Sequence, residues 1–307
     1  MELKKVLLVS KKTSLDYYKE IFPNNTKESI IKNGVENYNV LEEAHNSHYN
    51  ALNKVENELK KLNLKYKVAL KQKFTRKDFE DVDLVIALGG DGTFLDVAKF
   101  VKNQLFLGIK SDIKSHGYLM CADASQDNYE SRGSIKIILE DKFKTEKLVR
   151  LKLEIFNGNK IEDYAVNEVY IGHKYSSGMS RYVLNFNNKE EKQMSSGIVI
   201  TTGAGSTAWY SNIYHNLFWK FGFLGSSFNK DSEKLKFVVM NPNRHGINIC
   251  KIKSGTIKKG DTFKIKPTMN FDGCISVDGN TKERLYEFNR GSIVNISVGD
   301  YLNIIKF

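Results

Sequence analysis

The sequence has 307 residues, of which 41% are hydrophobic and 11% aromatic, as in a folded protein with enough chain for two domains. No apolar run approaches the roughly 20 residues of a membrane span, and the amino-terminal run is too short for a signal peptide, so we expect a cytoplasmic protein. The formal charge of +11 comes from lysines mixed with acidic residues along the chain, which argues against a dedicated nucleic-acid surface.

Strands and helices alternate in the first third of the chain. The strand-like runs are KKVLLVS, LKYKVAL, VDLVIAL and LFLGI, and the helical runs are YNALNKVENELKKLN and FLDVAKFVKN. The first helical run carries Leu52, Val55, Leu59 and Leu62 on one face. The alternation predicts a Rossmann-like α/β domain with a mostly parallel sheet, whereas residues 20–45 are too polar to assign.

From about residue 134 the pattern changes to short β-type runs, from SIKIILE to IVNISVG, separated by Gly, Asn, Asp or Ser. These runs predict an all-β, sandwich-like domain, and only GSTAWYSNIYHNLFWKFGF suits a helix. We place an α/β nucleotide-binding domain at 1–120 and a β-rich substrate-binding domain at 121–285. The remaining segment, 286–307, could return to the first domain.

The cysteines and histidines predict neither a disulfide framework nor a metal centre. Cys121, Cys250 and Cys274 are isolated and odd in number, so we expect buried or incidental thiols. His45 and His48 could share a helix face, but a partly buried structural role is favoured over metal ligation.

The stretch LVIALGGDGTFLDVAKF places Gly89, Gly90 and Gly92 around Asp91, where a strand ends and a helix begins. Backbone amides at such a turn, together with the positive end of a helix, form an anion site. Thr93 could cap the helix or contact a phosphate. The stretch is neither a P-loop nor a dinucleotide fingerprint. An aspartate here could accept the proton of an attacking hydroxyl or hold Mg²⁺, which favours phosphoryl transfer over a simple turn.

GGDGT, residues 89–93, resembles the motif shared by NAD kinases, by diacylglycerol and sphingoid lipid kinases and, more distantly, by phosphofructokinases. AVNEVYI, residues 165–171, resembles the Asn-Glu motif of NAD kinases. SSGIVITTGAGSTAWYSN, residues 195–212, resembles the glycine-rich substrate-binding segment of the same family. These motifs and the β-rich tail cover most of residues 80–300. Their sequences resemble most closely the mitochondrial-type branch of NAD kinases, although no transit peptide is visible.

The resemblance implies ATP-dependent phosphorylation of the 2′-hydroxyl on the adenosine ribose of NAD⁺, with Mg²⁺ and with the nucleotide lying between two domains. It implies Asp91 as the proton acceptor, and a homo-oligomer, either a dimer or a tetramer. The ATP phosphates would contact Gly89, Gly90, Gly92 and Thr93. The implied NAD contacts are Asp91, Gly92, Asn167, Glu168, Ser196, Ala204, Thr207, Ala208 and Asn212.

The side chains of the Asn-Glu motif suit a nucleoside. Asn167 offers a donor and an acceptor for an adenine edge, and Glu168 can accept from a ribose hydroxyl. Adjacent residues in a continuous strand would face opposite sides, so this interpretation needs the strand to end there. Trp209 could cover an adenine or anchor the core.

Some positions depart from the family pattern. Lys110 stands where the family has an asparagine, and it could neutralise a phosphate or be solvated. Met194 and Ser196 replace an ionic pair. These departures bear on the contacts to the nicotinamide side and on the choice between NAD⁺ and NADH.

Two other functions stay open from the sequence. A lipid kinase of the same superfamily would need an apolar surface that admits lipid, and it would leave the Asn-Glu and glycine-rich stretches unexplained. A dinucleotide-binding regulator without turnover could keep the Gly-Asp turn for binding alone.

Overall fold

The computed structural model describes residues 3–34, 37–71, 73–112, 117–175, 177–218, 227–244 and 249–307. The helices are α1 (Ser14–Ile21), α2 (Thr26–Asn33), α3 (Tyr38–Lys61), α4 (Asp91–Ala98), α5 (Tyr129–Arg132), α6 (Ile135–Leu139) and α7 (Trp209–Phe218). The strands are β1 (Lys5–Ser10), β2 (Lys65–Leu70), β3 (Leu84–Gly89), β4 (Leu105–Lys110), β5 (Ala122–Asp123), β6 (Lys144–Asn157), β7 (Asn159–Ala165), β8 (Glu168–His173), β9 (Ser180–Phe186), β10 (Lys189–Ser195), β11 (Ile198–Thr201), β12 (Lys234–Val239), β13 (Ser254–Lys258), β14 (Phe263–Pro267), β15 (Gly273–Val277), β16 (Asn280–Glu287) and β17 (Ile293–Lys306).

The chain divides into two compact units. The first unit contains Met1–Glu146 and Leu302–Phe307, and the second contains Lys147–Tyr301. The first unit therefore extends past the predicted boundary at residue 120, and only the last part of the predicted segment 286–307 belongs to it.

The extension to Glu146 has a physical reason in the packing of the segment after β4. β5 pairs in parallel with the end of β4. Tyr129, Ile135 and Ile138, from α5 and α6, are buried in the same hydrophobic core as β1 and β3. The run SIKIILE, predicted as β-type, forms α6 instead, and its buried Ile135 and Ile138 share the helix face that packs in this core.

The first unit is a parallel sheet with helices, as predicted. Its strands are ordered β2-β1-β3-β4, and the end of β17 lies beside β4 through the pairs Asn303–Leu105 and Ile304–Phe106. The chain leaves β1 toward β2 but leaves β3 toward β4. The carboxyl ends of β1 and β3 therefore form a topological switch point, where ligands bind in open α/β sheets.

Most of the described residues in the polar stretch at 20–45 lie in α1, α2 and α3. Thr13 caps α1, and its side chain and that of Asp16 bond each other's backbone amides in a capping box. Leu15, Ile30 and Leu41 form a small separate core between α1, α2 and α3. Each of the first two helices buries a single apolar residue, which explains why the stretch shows little periodicity.

The second unit is a β-sandwich, which confirms the predicted all-β domain. One layer contains β10-β9-β14-β17 with the β6–β7 hairpin, and the other has the order β13-β12-β11-β8-β15-β16. Leu153, Leu184, Ile200, Phe237 and Ile275 are among the fully buried residues that both layers contribute to one core.

Three strands of this unit, β10, β13 and β16, were not predicted, because their sequences are polar and contain no apolar run. One of the predicted β-type runs is GINICKIK, residues 246–253; its described part, residues 249–253, is not a strand, and residues 246–248 lie outside the described residues. The predicted helix, residues 205–223, corresponds to α7 over residues 209–218, and its residues 219–223 lie outside the described ranges. No helix in the described part of the chain is long and apolar enough to cross a membrane.

Candidate active site

The glycine–aspartate turn lies at the carboxyl end of β3. β3 ends at Gly89, Gly90 is the N-cap of α4 in an extended conformation, and the helix begins at Asp91. Position 89 has no room for a side chain, because a Cβ there would lie 2.5 Å from Oγ1 of Thr93. Glycine at the end of β3 therefore allows α4 to pack closely against the strand.

The predicted capping role of Thr93 is wrong. Gly90 occupies the N-cap position, and no side chain caps the helix. Thr93 is only 2% exposed and packs against Gly89, while its amide donates to the Gly90 carbonyl at 2.9 Å. The amides of Asp91 and Gly92 precede the first intrahelical bonds, so they are the donors that an anion could use.

The carboxylate of Asp91 is held by the loop that follows β4. Its Oδ2 accepts from the amide of Tyr118 at 3.1 Å, and its Oδ1 accepts from the amide of Leu119 at 2.9 Å. These two bonds fix the plane of the carboxylate. Each oxygen still has a lone pair for a further donor.

Lysines lie near this turn within the first unit, and one of them, Lys71, is paired with Asp96 at 2.6 Å. Nζ of Lys71 donates to the Gly92 carbonyl at 3.2 Å. Lys110 lies beside the last residue of β3 in the parallel register, 3.8 Å from Asp123, and lines a cavity of about 290 Å³. Lys11 follows β1 at the same edge of the sheet, and burial lowers its pKa. Lys11 and Lys71 are cations that the sequence reasoning did not single out.

His48 has the structural role that the sequence favoured. It is fully buried, and its ring nitrogens bond Oγ of Ser10 at 2.9 Å and Oγ of Ser111 at 2.7 Å. Burial lowers the pKa of His48 to about 4, so the ring is neutral and links the ends of β1 and β4. Among the described residues, no group of three or more His, Cys, Asp or Glu side chains could hold a metal ion. The three cysteines form no disulfide with one another, and two of them, Cys250 and Cys274, are buried.

In the second unit, the Asn-Glu motif forms a turn. β7 ends at Ala165, β8 begins at Glu168, and Asn167 lies in the bend between them. The strand does end there, which removes the difficulty of opposite faces. The carboxylate of Asp278 accepts from the amides of Val166 at 3.0 Å, Asn167 at 2.7 Å and Glu168 at 3.3 Å.

The carboxyl group of Glu168 is buried and incompletely hydrogen-bonded. The residue is 7% exposed, and its Oε2 has no partner among the described residues. Burial and, to a smaller extent, the charge of Asp278 raise the pKa of Glu168 to about 8. At neutral pH this side chain is a carboxylic acid, which can donate as well as accept a hydrogen bond.

The glycine-rich segment lies against the Asn167 turn. Oγ1 of Thr201 donates to the Asn167 carbonyl at 3.2 Å, and Oγ1 of Thr202 donates to the carbonyl of Val166. A Cβ on Gly205 would lie 2.2 Å from the Asn167 carbonyl oxygen. The absence of a side chain at Gly205 therefore lets the two segments approach.

The structure places the other predicted contacts around this segment. Ala204 is buried, Ala208 is partly buried, and Thr207 and Asn212 are exposed. Trp209 is 41% exposed and lies 5.8 Å from the ring of Tyr170, so it does not anchor the core.

Ser196 lies apart from this group. It precedes β11, whereas Thr202 and the Asn167 turn lie at the other end of that strand. Its amide donates to the Met240 carbonyl at 2.9 Å, and its Oγ accepts from Nδ2 of Asn241 at 3.2 Å. The structure therefore does not bring Ser196 to the Asn-Glu turn. Met194 is a β10 residue paired with Arg181.

The sequence reasoning missed Asp278 and Arg284. Nη1 of Arg284 donates to Oδ2 of Asp278 at 2.9 Å, and both side chains are only 2% exposed. The sequence indicates only a turn at SVDG, because an Asp-Gly pair after an apolar run is typical of strand connections. Nothing in the spacing indicates that the aspartate turns inward to bind three amides.

Comparisons with known proteins agree on one family. The family model described as the ATP-NAD kinase N-terminal domain matches residues 6–109. The chain is 24% identical to rat (Rattus norvegicus) NAD kinase 2, mitochondrial, over 96% of this chain and 85% of the relative. An NAD kinase from Archaeoglobus fulgidus, solved with ATP, matches 99% of this chain and 93% of its own, at 16% identity and a TM-score of 0.62. Yeast NADH kinase, solved with NADH, matches 100% of this chain and 84% of its own, at 14% identity and a TM-score of 0.65. The two structures show a shared fold.

Proposed function

We propose, because the chain belongs to the NAD kinase family, that it transfers the terminal phosphoryl group of ATP to the 2′-hydroxyl on the adenosine ribose of NAD⁺, giving NADP⁺. The observation that carries the proposal is the GGDGT turn at the switch point of a parallel sheet, with the amides of Asp91 and Gly92 at the start of α4.

Asp91 is the proposed proton acceptor for the ribose hydroxyl. Its carboxylate is oriented by the amides of Tyr118 and Leu119 and has lone pairs left for the hydroxyl. A positioned general base contributes about 10²–10⁴-fold to turnover. The phosphates of ATP would contact Gly89, Gly90 and Gly92, the residues around Asp91.

In the second unit, Asn167 and Glu168 are the proposed contacts to the adenosine part of NAD⁺. Glu168 is buried and has an unpartnered oxygen, which suits a bond to a hydroxyl group. The surrounding contacts would come from the glycine-rich segment, at Ala204, Thr207, Ala208 and Asn212. Contacts by Thr93, Ser196 and Lys110 stay predictions from the sequence.

A divalent cation such as Mg²⁺ fits the described residues only as a partner of ATP. No cluster of three metal-binding side chains occurs in the described ranges, and Mg²⁺ is usually held by substrate phosphates with one or two carboxylates. When bound, the cation would neutralise phosphate charge. Asp91 is the carboxylate of the turn that could share it.

A single assay tests the proposal. Purified protein is incubated with Mg-ATP and NAD⁺, and NADP⁺ is measured with an NADP-specific dehydrogenase; NADH and a diacylglycerol are tested as alternative acceptors. Asp91→Asn is expected to lose about 10²–10⁴-fold in turnover. Its asparagine keeps an oxygen for one of the two loop amides, and thermal unfolding is measured alongside as a check on folding.

The outcomes separate the candidates. NADP⁺ formation that depends on Asp91 supports the proposal, and near-normal turnover by Asp91→Asn contradicts the role of that residue. Phosphorylation of the lipid alone would indicate a lipid kinase, and NAD⁺ binding without product would indicate a regulator. The comparisons support neither of these alternatives.

Self-assembly and location are further proposals. We expect a dimer or tetramer, which light scattering of the purified protein would measure. A cytoplasmic location stays a prediction, and the rat relative is named as mitochondrial. Fractionation of the source cells tests it.

A further inference from the structure

Arg284, on β16, is the centre of a buried ionic network in the second unit. The residue is 1% exposed. Its guanidinium holds Asp163 in a two-bond fork, with Nε at 3.0 Å from Oδ2 and Nη2 at 2.9 Å from Oδ1. Nη2 also donates to the carbonyl of Tyr164, and Nη1 donates to Asp278 at 2.9 Å. Four of the five N–H donors of the guanidinium are therefore used.

Asp278 connects Arg284 to the Asn-Glu turn through hydrogen bonds. Its Oδ2 accepts from Arg284 and from the amide of Val166, and its Oδ1 accepts from the amides of Asn167 and Glu168. Asp278 itself has a positive φ of 50°, and its own amide donates to the Glu168 carbonyl at 2.9 Å. The turn and the aspartate therefore hold each other through four backbone hydrogen bonds, and Arg284 holds the aspartate.

The charges explain why an arginine is needed. Asp163 and Asp278 are two carboxylates in a buried site, and the guanidinium of Arg284 is the cation paired with both. An arginine can span two acceptors with fixed geometry, whereas a lysine has a single ammonium group. Without the guanidinium, the two carboxylates would repel each other, and Asp278 would lose the partner that aims it at the turn.

We propose that Arg284 is a positioning residue for dinucleotide binding, which acts through Asp278 on the backbone of Val166, Asn167 and Glu168. This inference rests on the proposed function, because the turn matters to activity only if it binds NAD⁺. Arg284 is too deeply buried to contact a ligand from solvent itself. Its effect should therefore appear in the affinity for NAD⁺ and leave the affinity for ATP unchanged.

The test compares two Arg→Lys substitutions in the same unit. Arg284→Lys keeps a positive charge but cannot form both the fork to Asp163 and the bond to Asp278. Arg150→Lys is the control, because the Arg150 side chain is also buried, at 3% exposed, and forms a two-bond fork of 2.8 Å and 2.6 Å with Asp300, a carboxylate that is 50% exposed and does not contact the turn. Arg284→Lys is expected to raise the KM for NAD⁺ about tenfold, because the loss of one charge-assisted hydrogen bond has an effect of that size. The KM for ATP should stay within about twofold of the wild-type value. Arg150→Lys should change neither.

The result overturns the inference if both lysine variants shift the KM for NAD⁺ equally at equal thermal stability, because the network would then be only structural. The same holds if Arg284→Lys lowers kcat and raises both KM values together. If Arg284→Lys does not fold, the pair Asp278→Asn and Asp300→Asn gives the same comparison. A wild-type protein that makes no NADP⁺ and binds no NAD⁺ contradicts the proposed function. If the wild type turns over normally and the Arg284→Lys and Arg150→Lys variants have the same KM for NAD⁺, only the role of Arg284 is contradicted.

Discussion

The substitution Glu168→Gln should remove a large pH dependence of stability from the second unit. Glutamine keeps the shape of the protonated acid but cannot ionise. In the unfolded chain the carboxyl group of Glu168 ionises near its ordinary pKa of 4.5, whereas burial raises the folded pKa to about 8. The folded wild-type protein therefore holds a proton that the unfolded chain releases between these two pH values.

The direction and the size of the pH dependence of stability follow from this difference in bound protons. Because the folded state binds more protons than the unfolded state between pH 4.5 and about 8, stability falls as the pH rises through that range and levels off above it. At about 1.4 kcal/mol for each pH unit, the total loss has an upper limit of about 5 kcal/mol. Glu168 is only 7% exposed, so solvent screens little of this effect.

Tryptophan fluorescence suits the measurement, because both tryptophans of the chain, Trp209 and Trp219, lie within residues 147–301. Urea unfolding is measured at pH 5, 6, 7 and 8 for the wild type, for Glu168→Gln, and for Glu287→Gln, a matched control at an exposed glutamate of the same unit. The wild type and the control should lose stability relative to Glu168→Gln by about 1 kcal/mol per pH unit. Three parallel curves would refute the reasoning, since Glu168 would then be ionised in the folded protein.

Two further substitutions test other parts of the site. Gly205→Ala places a methyl group 2.2 Å from the Asn167 carbonyl, so the glycine-rich segment must move; calorimetry should show NAD⁺ binding weakened at least tenfold, and unchanged affinity would contradict the contact. His48→Gln should remove the acid sensitivity of the first unit: the unfolded His48 gains a proton near pH 6.5 and the folded one only near 4, so wild-type stability falls by up to about 3 kcal/mol as the pH drops through that range. Circular dichroism at 222 nm follows this unit, which holds the 24-residue helix α3, and equal acid midpoints would count against the role of His48.

The sequence predicted the architecture where periodicity was strong. The apolar runs of β1, β3 and β4 are continuous in the sequence, Val55 and Leu59 recur at helical spacing, and both sets are buried in the structure. β10 was missed because it reads KEEKQMS, with only Gln193 and Ser195 inside. The isoleucines of SIKIILE fit a strand and a helix equally well, and packing against the first core decides for α6.

The candidate site was predictable only as far as local motifs extend. Asp91 is marked by three glycines within four positions, and Asn167 and Glu168 stand in a recognisable order. Asp278 and Arg284 lie more than a hundred residues beyond the turn that they hold, and only the sandwich brings them to it. The raised pKa of Glu168 was equally hidden, because it depends on burial and on a neighbour distant in sequence.

The route of β17 has a consequence for synthesis of the protein. Leu302, Ile304 and Ile305 are buried in the first unit, but residues 147–301 must be translated before they emerge from the ribosome. At about 5–20 residues per second, the sheet edge at β4 waits on the order of ten seconds for its last strand. During that interval β5 covers only the end of β4, so the hydrogen-bonding edge at Leu105 and Phe106 stays open to wrong partners.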